Sequence, residues 1–202
     1  MDFKNRLKGS ITQTLLKALL EDAGYQLVPL GIEEVVREVK SLSSSEYGSL
    51  DLPSVLKKMP DFFVASKNFE KTWLVEVKYR KRWNADTRNA LKFEILEQVK
   101  SWQPIHMVIF LGERARGTVT PASSLGVLRL IHVDGQLSCS WFSRNLFTDA
   151  IEEYRTPWYE IEWGNSHRFQ DVFRDVTEGW EASTLIKALS LLESLRKLDS
   201  FE

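Results

Sequence analysis

The chain has 202 residues, of which 43% are hydrophobic and 27% are charged, and its formal net charge is −1. This composition is typical of a folded domain, and the near-neutral charge predicts that any polyanion binds to a local basic patch. Cys139 is the only cysteine, which excludes a disulfide framework and a cysteine-based zinc site. No apolar run approaches the roughly 20 residues of a membrane span, so we expect a cytoplasmic protein that does not contact membranes.

The first forty residues predict two helices around a first strand. Apolar residues recur at intervals of four from Phe3 to Leu19, and Leu16 and Leu20 widen this stripe, which is the pattern of an amphipathic helix. Gly24 is expected to end this helix. Residues 25–30 (YQLVPL) then read as a strand, and residues 31–40 (GIEEVVREVK) as a second helix.

A β-hairpin is predicted next, with its turn centred near Asn68 and Phe69. This turn places Asp61 opposite Glu76, to within one residue. Because side chains alternate along a strand, Glu76 and Lys78 project from the same face. Two carboxylates and one ammonium group are therefore predicted to converge at one end of the hairpin.

The hairpin is followed by a strong helix in residues 87–103, for which Asp86 or Thr87 is the expected cap. The apolar run IHMVIFLG predicts a buried strand. A second hairpin is predicted across the pair Asp134-Gly135, a common two-residue turn. These elements predict an α/β fold with a mixed central sheet flanked by helices.

Two regions are predicted along the chain. Residues 1–147 would form the core, and residues 148–202 an acidic, partly helical α+β extension that packs on the core or on a partner. In the extension, Glu160 and Glu162 alternate with apolar residues, which predicts a strand with a solvated acidic face.

Asp61 and Glu76 have the chemistry of a metal site. Two carboxylates this close repel each other unless a cation lies between them or one is protonated. Mg²⁺ prefers oxygen ligands, commonly one or two carboxylates together with water and phosphate, and the carbonyl of Val77 can add another oxygen. Lys78 would then orient a water or stabilise charge on a phosphate. The competing interpretation is an ordinary ion pair between strands on a solvated surface.

Five residues carry a resemblance to a known family: Pro60, Asp61, Glu76, Val77 and Lys78. They resemble the PD-(D/E)XK motif of the restriction-endonuclease-like nuclease superfamily. The predicted elements of about the first 110 residues are similar to the αβββαβ core of that superfamily. The resemblance implies an endodeoxyribonuclease-like hydrolase that uses Mg²⁺, with Mn²⁺ as a substitute. Asp61 and Glu76 would hold the metal, and Lys78 would be the catalytic lysine.

Two glutamines bear on this resemblance. Many members place an acid early in the first helix, where this chain has Gln13, a weaker Mg²⁺ ligand. Some members carry a glutamine on the helix after the lysine, and Gln98 matches that position. Gln98 would support catalysis, or else it is a boundary residue bonded to the backbone. Glu94, on the same helix, is expected to face solvent.

The most basic stretch of the chain directly follows Lys78. Its predicted phosphate-binding residues are Arg80, Lys81, Arg82, Arg88 and Lys92. Tyr79 and Trp83 interleave with them and are expected to stack on bases or sugars. The alternative is a charged loop that is merely solvated.

Three functions are therefore compatible with the sequence. The first is a Mg²⁺-dependent DNA nuclease, which would need to be a homodimer to cut both strands of a duplex symmetrically. The second is a nuclease fold kept as a catalytically weak nucleic-acid-binding or assembly component. The third is a globular domain whose hairpin carries only surface ion pairs.

Overall fold

The computed structural model describes residues 3–32, 42, 46, 49–113, 124–144, 150–176, 187–188 and 190–191. The second predicted helix, in residues 31–40, lies almost entirely outside these ranges. Among the described residues, no helix is both long enough and apolar enough to cross a membrane.

The described helices and strands are, in chain order, α1 (Phe3–Asp22), β1 (Gln26–Pro29), α2 (Ser54–Lys57), β2 (Phe62–Ala65), β3 (Thr72–Arg80), α3 (Ala85–Trp102), β4 (Ile105–Leu111), β5 (Leu125–Val133), β6 (Gln136–Arg144), β7 (Ile151–Pro157), two 3₁₀ turns (Trp158–Glu160 and Trp163–Asn165), β8 (His167–Arg168) and α4 (Phe169–Val172).

The strands form one mixed, open sheet in which β1 to β7 lie side by side in chain order and β8 pairs with β5. Only the β3–β4 pair is parallel among the described strands. Strands that run in the same direction need a long crossover, and α3 provides it. The predicted α/β fold with a mixed sheet flanked by helices is confirmed.

The β2–β3 hairpin has the predicted register. Phe62 pairs with Val75 and Ala65 with Thr72, so the next position places Asp61 opposite Glu76. Odd-numbered residues of β3 pack in the core cluster that contains α1. The even-numbered residues, which include Glu76, therefore face the side of the sheet that carries α3.

The buried face of α1 includes Leu16, Leu19 and Leu20 of the predicted stripe, together with two polar residues. Its buried residues are Lys8, Thr12, Leu16, Leu19 and Leu20. Leu7, which was expected in the core, is 36% exposed. Two polar residues can be buried here because the hydroxyl of Thr12 donates to the carbonyl of Lys8 and the Lys8 ammonium lies 5.4 Å from the centre of the Tyr79 ring. Gly24 follows the helix with a φ of +87°, which favours glycine.

The helix α3 begins two residues earlier than predicted, at Ala85 instead of Thr87. Asn84 is its N-cap, because the Asn84 side chain accepts a hydrogen bond from the Thr87 amide at 2.8 Å. The prediction of Asp86 or Thr87 as the cap is wrong. The apolar stripe is as predicted: Leu91, Ile95 and Val99 are buried in a second core cluster against β4 and β5.

The residues after β7 form turns instead of the predicted strand. Glu160 ends a 3₁₀ turn and Glu162 precedes another. Trp158 and Ile161 are the buried positions, and this interval of three matches the period of a 3₁₀ helix. β7 itself pairs along its whole length with β6, so the described part of the C-terminal region extends the same sheet.

Candidate functional site

Asp61 lies at an end of the sheet where α1 and β3 both reach it. It immediately precedes β2. Its Oδ1 accepts a hydrogen bond from the side-chain amide of Gln13 at 2.8 Å, and its Oδ2 accepts one from the Val77 backbone amide at 2.7 Å. These two bonds fix the orientation of the carboxylate.

Glu76 is a buried carboxylate with two side-chain partners. The residue is only 5% exposed. Its Oε1 lies 2.7 Å from the Lys78 ammonium, and its Oε2 accepts a hydrogen bond from Gln98 at 2.8 Å. Gln98 is also buried and donates a second, longer bond to the Met59 carbonyl at 3.2 Å. Gln98 therefore contacts a candidate metal ligand and is also bonded to the backbone.

Lys78 stays protonated at neutral pH. Burial lowers the pKa of the Lys78 ammonium, but the negative charges of Glu76, Asp61 and Glu94 outweigh burial and raise the pKa above its ordinary value of 10.5. A lysine in this state donates hydrogen bonds and positive charge. It is not available as a general base.

The candidate residues line a common cavity. Asp61, Glu76, Lys78 and Gln98 contribute to the walls of a cavity of about 210 Å³. Among the described residues, no group of three or more His, Cys, Asp and Glu side chains is placed to hold a metal ion. The candidate donor set here is smaller and consists of the carboxylates of Asp61 and Glu76.

The oxygen donors fit a hard cation such as Mg²⁺, which protein sites often bind through one or two carboxylates and water. Glu76 already has a cationic partner in the structure, the Lys78 ammonium, and a bound ion would compete with it for this carboxylate. In an antiparallel ladder, the N–H and C=O of one residue point toward the same neighbour. Because the Val77 amide donates to Asp61, its carbonyl also faces the Asp61 side. Asp61, Glu76 and the Val77 carbonyl are therefore the groups that would hold the ion.

Glu94 is a site residue that the sequence did not indicate. Its side chain is 45% exposed, in agreement with the expected solvent-facing position, but it also lines the cavity. Both carboxylate oxygens accept hydrogen bonds from Arg80, at 2.8 and 2.7 Å, and Oε2 lies 3.8 Å from the Lys78 ammonium. Glu94 lies four residues before Gln98 on α3, and residues at this spacing share one helix face. This spacing is the sequence feature that could have indicated a position of Glu94 at the site.

The predicted phosphate-binding residues are divided between two places. Arg80 is held beside the cavity by Glu94, and the exposed residues Lys81 and Arg82 follow it at the end of β3. Arg88 and Lys92 lie on α3, about 80° to 160° around the helix axis from the cavity residues Glu94 and Gln98. Arg80 contacts Glu94, a residue of the cavity wall, whereas Arg88 and Lys92 do not line the cavity.

The two interleaved aromatic residues pack inside the protein. The Trp83 ring contacts the rings of Trp158 and Trp163, and its indole N–H donates to the Ile161 carbonyl at 3.1 Å. Tyr79 packs against the core cluster that contains α1. The expectation that these rings stack on bases is therefore corrected: their faces are used for packing.

Comparisons with protein-family models, with curated proteins and with solved structures found no match to this chain.

Proposed function

We propose that this protein is a metal-dependent nuclease of the PD-(D/E)XK type that hydrolyses DNA phosphodiester bonds. The observation that carries the proposal is the convergence of four predicted residues on one cavity: Asp61, Glu76, Lys78 and Gln98. They come from three separate parts of the chain, and hydrogen bonds of 2.7 to 2.8 Å join Glu76 to both Lys78 and Gln98.

The order of the described elements supports a restriction-endonuclease-like core. Among the described elements, α1, β1, β2, β3, α3 and β4 follow one another, with the one-turn helix α2 between β1 and β2. β3 and β4 are parallel neighbours, and α3 crosses between them. The residues of the motif lie at the start of β2 and in the second half of β3.

Each residue has a role that its contacts allow. A bound Mg²⁺ would supply positive charge to the phosphate and lower the pKa of a water ligand. Asp61, Glu76 and the Val77 carbonyl would hold it. Lys78, protonated, donates a hydrogen bond and charge toward the phosphate oxygen on which negative charge develops. Gln98 fixes Glu76 Oε2, which keeps the carboxylate aimed into the cavity.

One observation favours a second function, a nucleic-acid-binding or assembly component with weak catalysis. Gln13 occupies the position on α1 where many relatives of this fold have an acid, and its amide donates to Asp61. An amide contributes no negative charge to a metal site. Metal affinity would therefore rest on two carboxylates alone.

A cleavage assay separates these functions. Supercoiled, linear and branched DNA would be incubated with Mg²⁺ or Mn²⁺ and either the wild type, Lys78→Ala or Lys100→Ala. Lys100 is a suitable control because it pairs with Glu97 on an exposed helix face. We expect cleavage by the wild type and the control, and a loss of about 10²- to 10³-fold in Lys78→Ala.

Cleavage that persists undiminished in Lys78→Ala would mean that the site is elsewhere or that the activity is a contaminant. Binding of DNA without cleavage on any substrate would select the second function. If the protein neither binds nor cleaves DNA, only the interpretation of the hairpin residues as surface ion pairs remains.

A further inference from the structure

A second cavity adjoins the candidate metal site on the α1 side. Its volume is about 250 Å³, and it shares Gly31 and Asp61 with the first cavity. Its remaining wall includes four residues of α1: Ser10, Gln13, Thr14 and Lys17. Protein cavities for whole small molecules typically measure about 300 to 1,000 Å³, so this one fits a single unit of a larger ligand.

The α1 wall presents one cation and several neutral polar groups. The four residues lie at intervals of three and four, so they share one face of the helix. Lys17 pairs with Glu21 at 3.8 Å, and both side chains are substantially exposed. Such a pair contributes little free energy, and the Lys17 ammonium can exchange it for a phosphate. The Thr14 hydroxyl donates to the Ser10 carbonyl, so its lone pairs stay available for a sugar or base donor.

Gln13 is a neutral residue beside Asp61 in the wall of the second cavity, so it adds no negative charge that would repel an anion there. A carboxylate at this position would place a second negative charge against Asp61 and toward any phosphate in the second cavity. The amide of Gln13 instead donates to Asp61 Oδ1 and adds no charge. Gln13 thus leaves the metal site with one carboxylate fewer, and for the same reason it does not repel a phosphate in the second cavity.

The spacing of the two cavities matches a nucleic-acid strand. Lys17 lies one helical turn beyond Gln13, a rise of about 6 Å at 1.5 Å per residue. Nucleotides of one strand repeat at about 3.4 Å along a duplex axis. A phosphate at Lys17 would therefore be one or two nucleotides from a phosphate held beside Asp61.

We propose that the second cavity binds the nucleotide one or two positions from the scissile phosphate, with Lys17 contacting its phosphate. This inference rests on the proposed nuclease function. It makes Lys17 a positioning residue, which holds the strand across Asp61 while other residues carry out the reaction.

Binding without cleavage tests the inference directly. A fluorescein-labelled single-stranded DNA would be titrated in EDTA at several salt concentrations, and its anisotropy measured with wild type, Lys17→Ala and Lys100→Ala. Lys100 is the matched control, because it is also a helix lysine in an exposed ion pair. One lost phosphate contact lowers the log–log salt slope by about 0.7 for a single strand, which is about fivefold in affinity at 0.1 M salt. We expect this loss for Lys17→Ala only.

An unchanged slope in Lys17→Ala, or an equal loss in Lys100→Ala, would overturn the inference. The cleavage assay runs in parallel with the same proteins. Cleavage by the wild type together with an unchanged Lys17→Ala slope removes the subsite and keeps the nuclease. A reduced Lys17→Ala slope without cleavage by any variant keeps a phosphate site at Lys17 and removes the nuclease.

Discussion

Replacing Lys78 by methionine would remove the counter-ion of a buried carboxylate while retaining most of the side-chain volume. Lys78 Nζ lies 2.7 Å from Glu76 Oε1, and the Glu76 side chain is only 7% exposed. Gln98 would remain as the partner of Oε2. Because a buried charge without a counter-ion is unfavourable, we expect Lys78→Met to lower the free energy of unfolding when no metal is present.

The structure sets the size of this effect. Removing one partner of a fully buried ion pair costs about 3 to 5 kcal/mol. The Lys78 side chain is 22% exposed, so water reaches the pair, and the hydrogen bond from Gln98 is kept. We therefore expect a loss of about 1 to 3 kcal/mol. A divalent ion should reverse it, since a ligand at 100 times its Kd stabilises the folded state by about 2.7 kcal/mol.

The measurement is urea unfolding of wild type, Lys78→Met and Lys100→Met in EDTA and in saturating Mg²⁺. Lys78→Met should gain more from Mg²⁺ than the wild type, because the wild-type ammonium competes with the ion for Glu76. The control should stay within about 0.5 kcal/mol of the wild type. Since the folded-state pKa of Lys78 is raised above 10.5, its contribution is complete below that pH and is lost only as pH rises through the folded-state pKa. Equal stability of Lys78→Met and wild type in EDTA, or equal gains from Mg²⁺, would refute this account of the site.

Three further changes test neighbouring parts of the site. Gln98→Ala would remove the hydrogen-bond donor to Glu76 Oε2 and to the Met59 carbonyl, which should lower the free energy of unfolding in urea by about 1 to 3 kcal/mol. It should also lower metal affinity, measured by calorimetry, about 10- to 100-fold. An unchanged metal affinity would argue against a role for Gln98 in orienting Glu76. Gln13→Glu should tighten Mn²⁺ binding and lower stability in EDTA, because it adds a carboxylate beside Asp61, and an unchanged Mn²⁺ affinity would place Gln13 beyond reach of the ion. Lys81→Ala combined with Arg82→Ala should reduce the log–log salt slope for duplex DNA by about two units, and an unchanged slope would place this exposed pair away from the ligand.

The parts of the site that the sequence predicted are those that local periodicity encodes. The turn at Asn68 and Phe69 sets the hairpin register, and strand alternation places Glu76 and Lys78 on one face. Both follow from residues close together in the chain, and the structure has this register. Gln98 was found by its position at the edge of an apolar helical stripe, where a polar side chain needs a partner.

The contacts that could not be predicted join residues that are far apart in the chain. The bond from Gln13 to Asp61 joins residues 48 positions apart, and the bond from Trp83 to Ile161 spans 78 positions. No periodicity in the sequence encodes either contact. The spacing of Glu94 from Gln98 places both on one face of α3, but the contact of Glu94 with Arg80 of β3 is not encoded in the helix. The turns around Glu160 were mistaken for a strand because apolar residues at intervals of two and three coexist there.

Two tryptophan hydrogen bonds connect the region around the start of α3 to the turns that follow β7. The Trp83 indole N–H donates to the Ile161 carbonyl, and the Trp158 indole N–H donates back to the Arg88 carbonyl. These reciprocal bonds join Trp83, which lies between β3 and α3, and Arg88 in the first turn of α3 to the turns that follow β7. The basic run from Arg80 to Arg82 is therefore anchored by residues more than seventy positions later in the chain. A chain that ends before Trp158 would retain every candidate catalytic residue but lose the two tryptophan hydrogen bonds that hold the segment after the basic run.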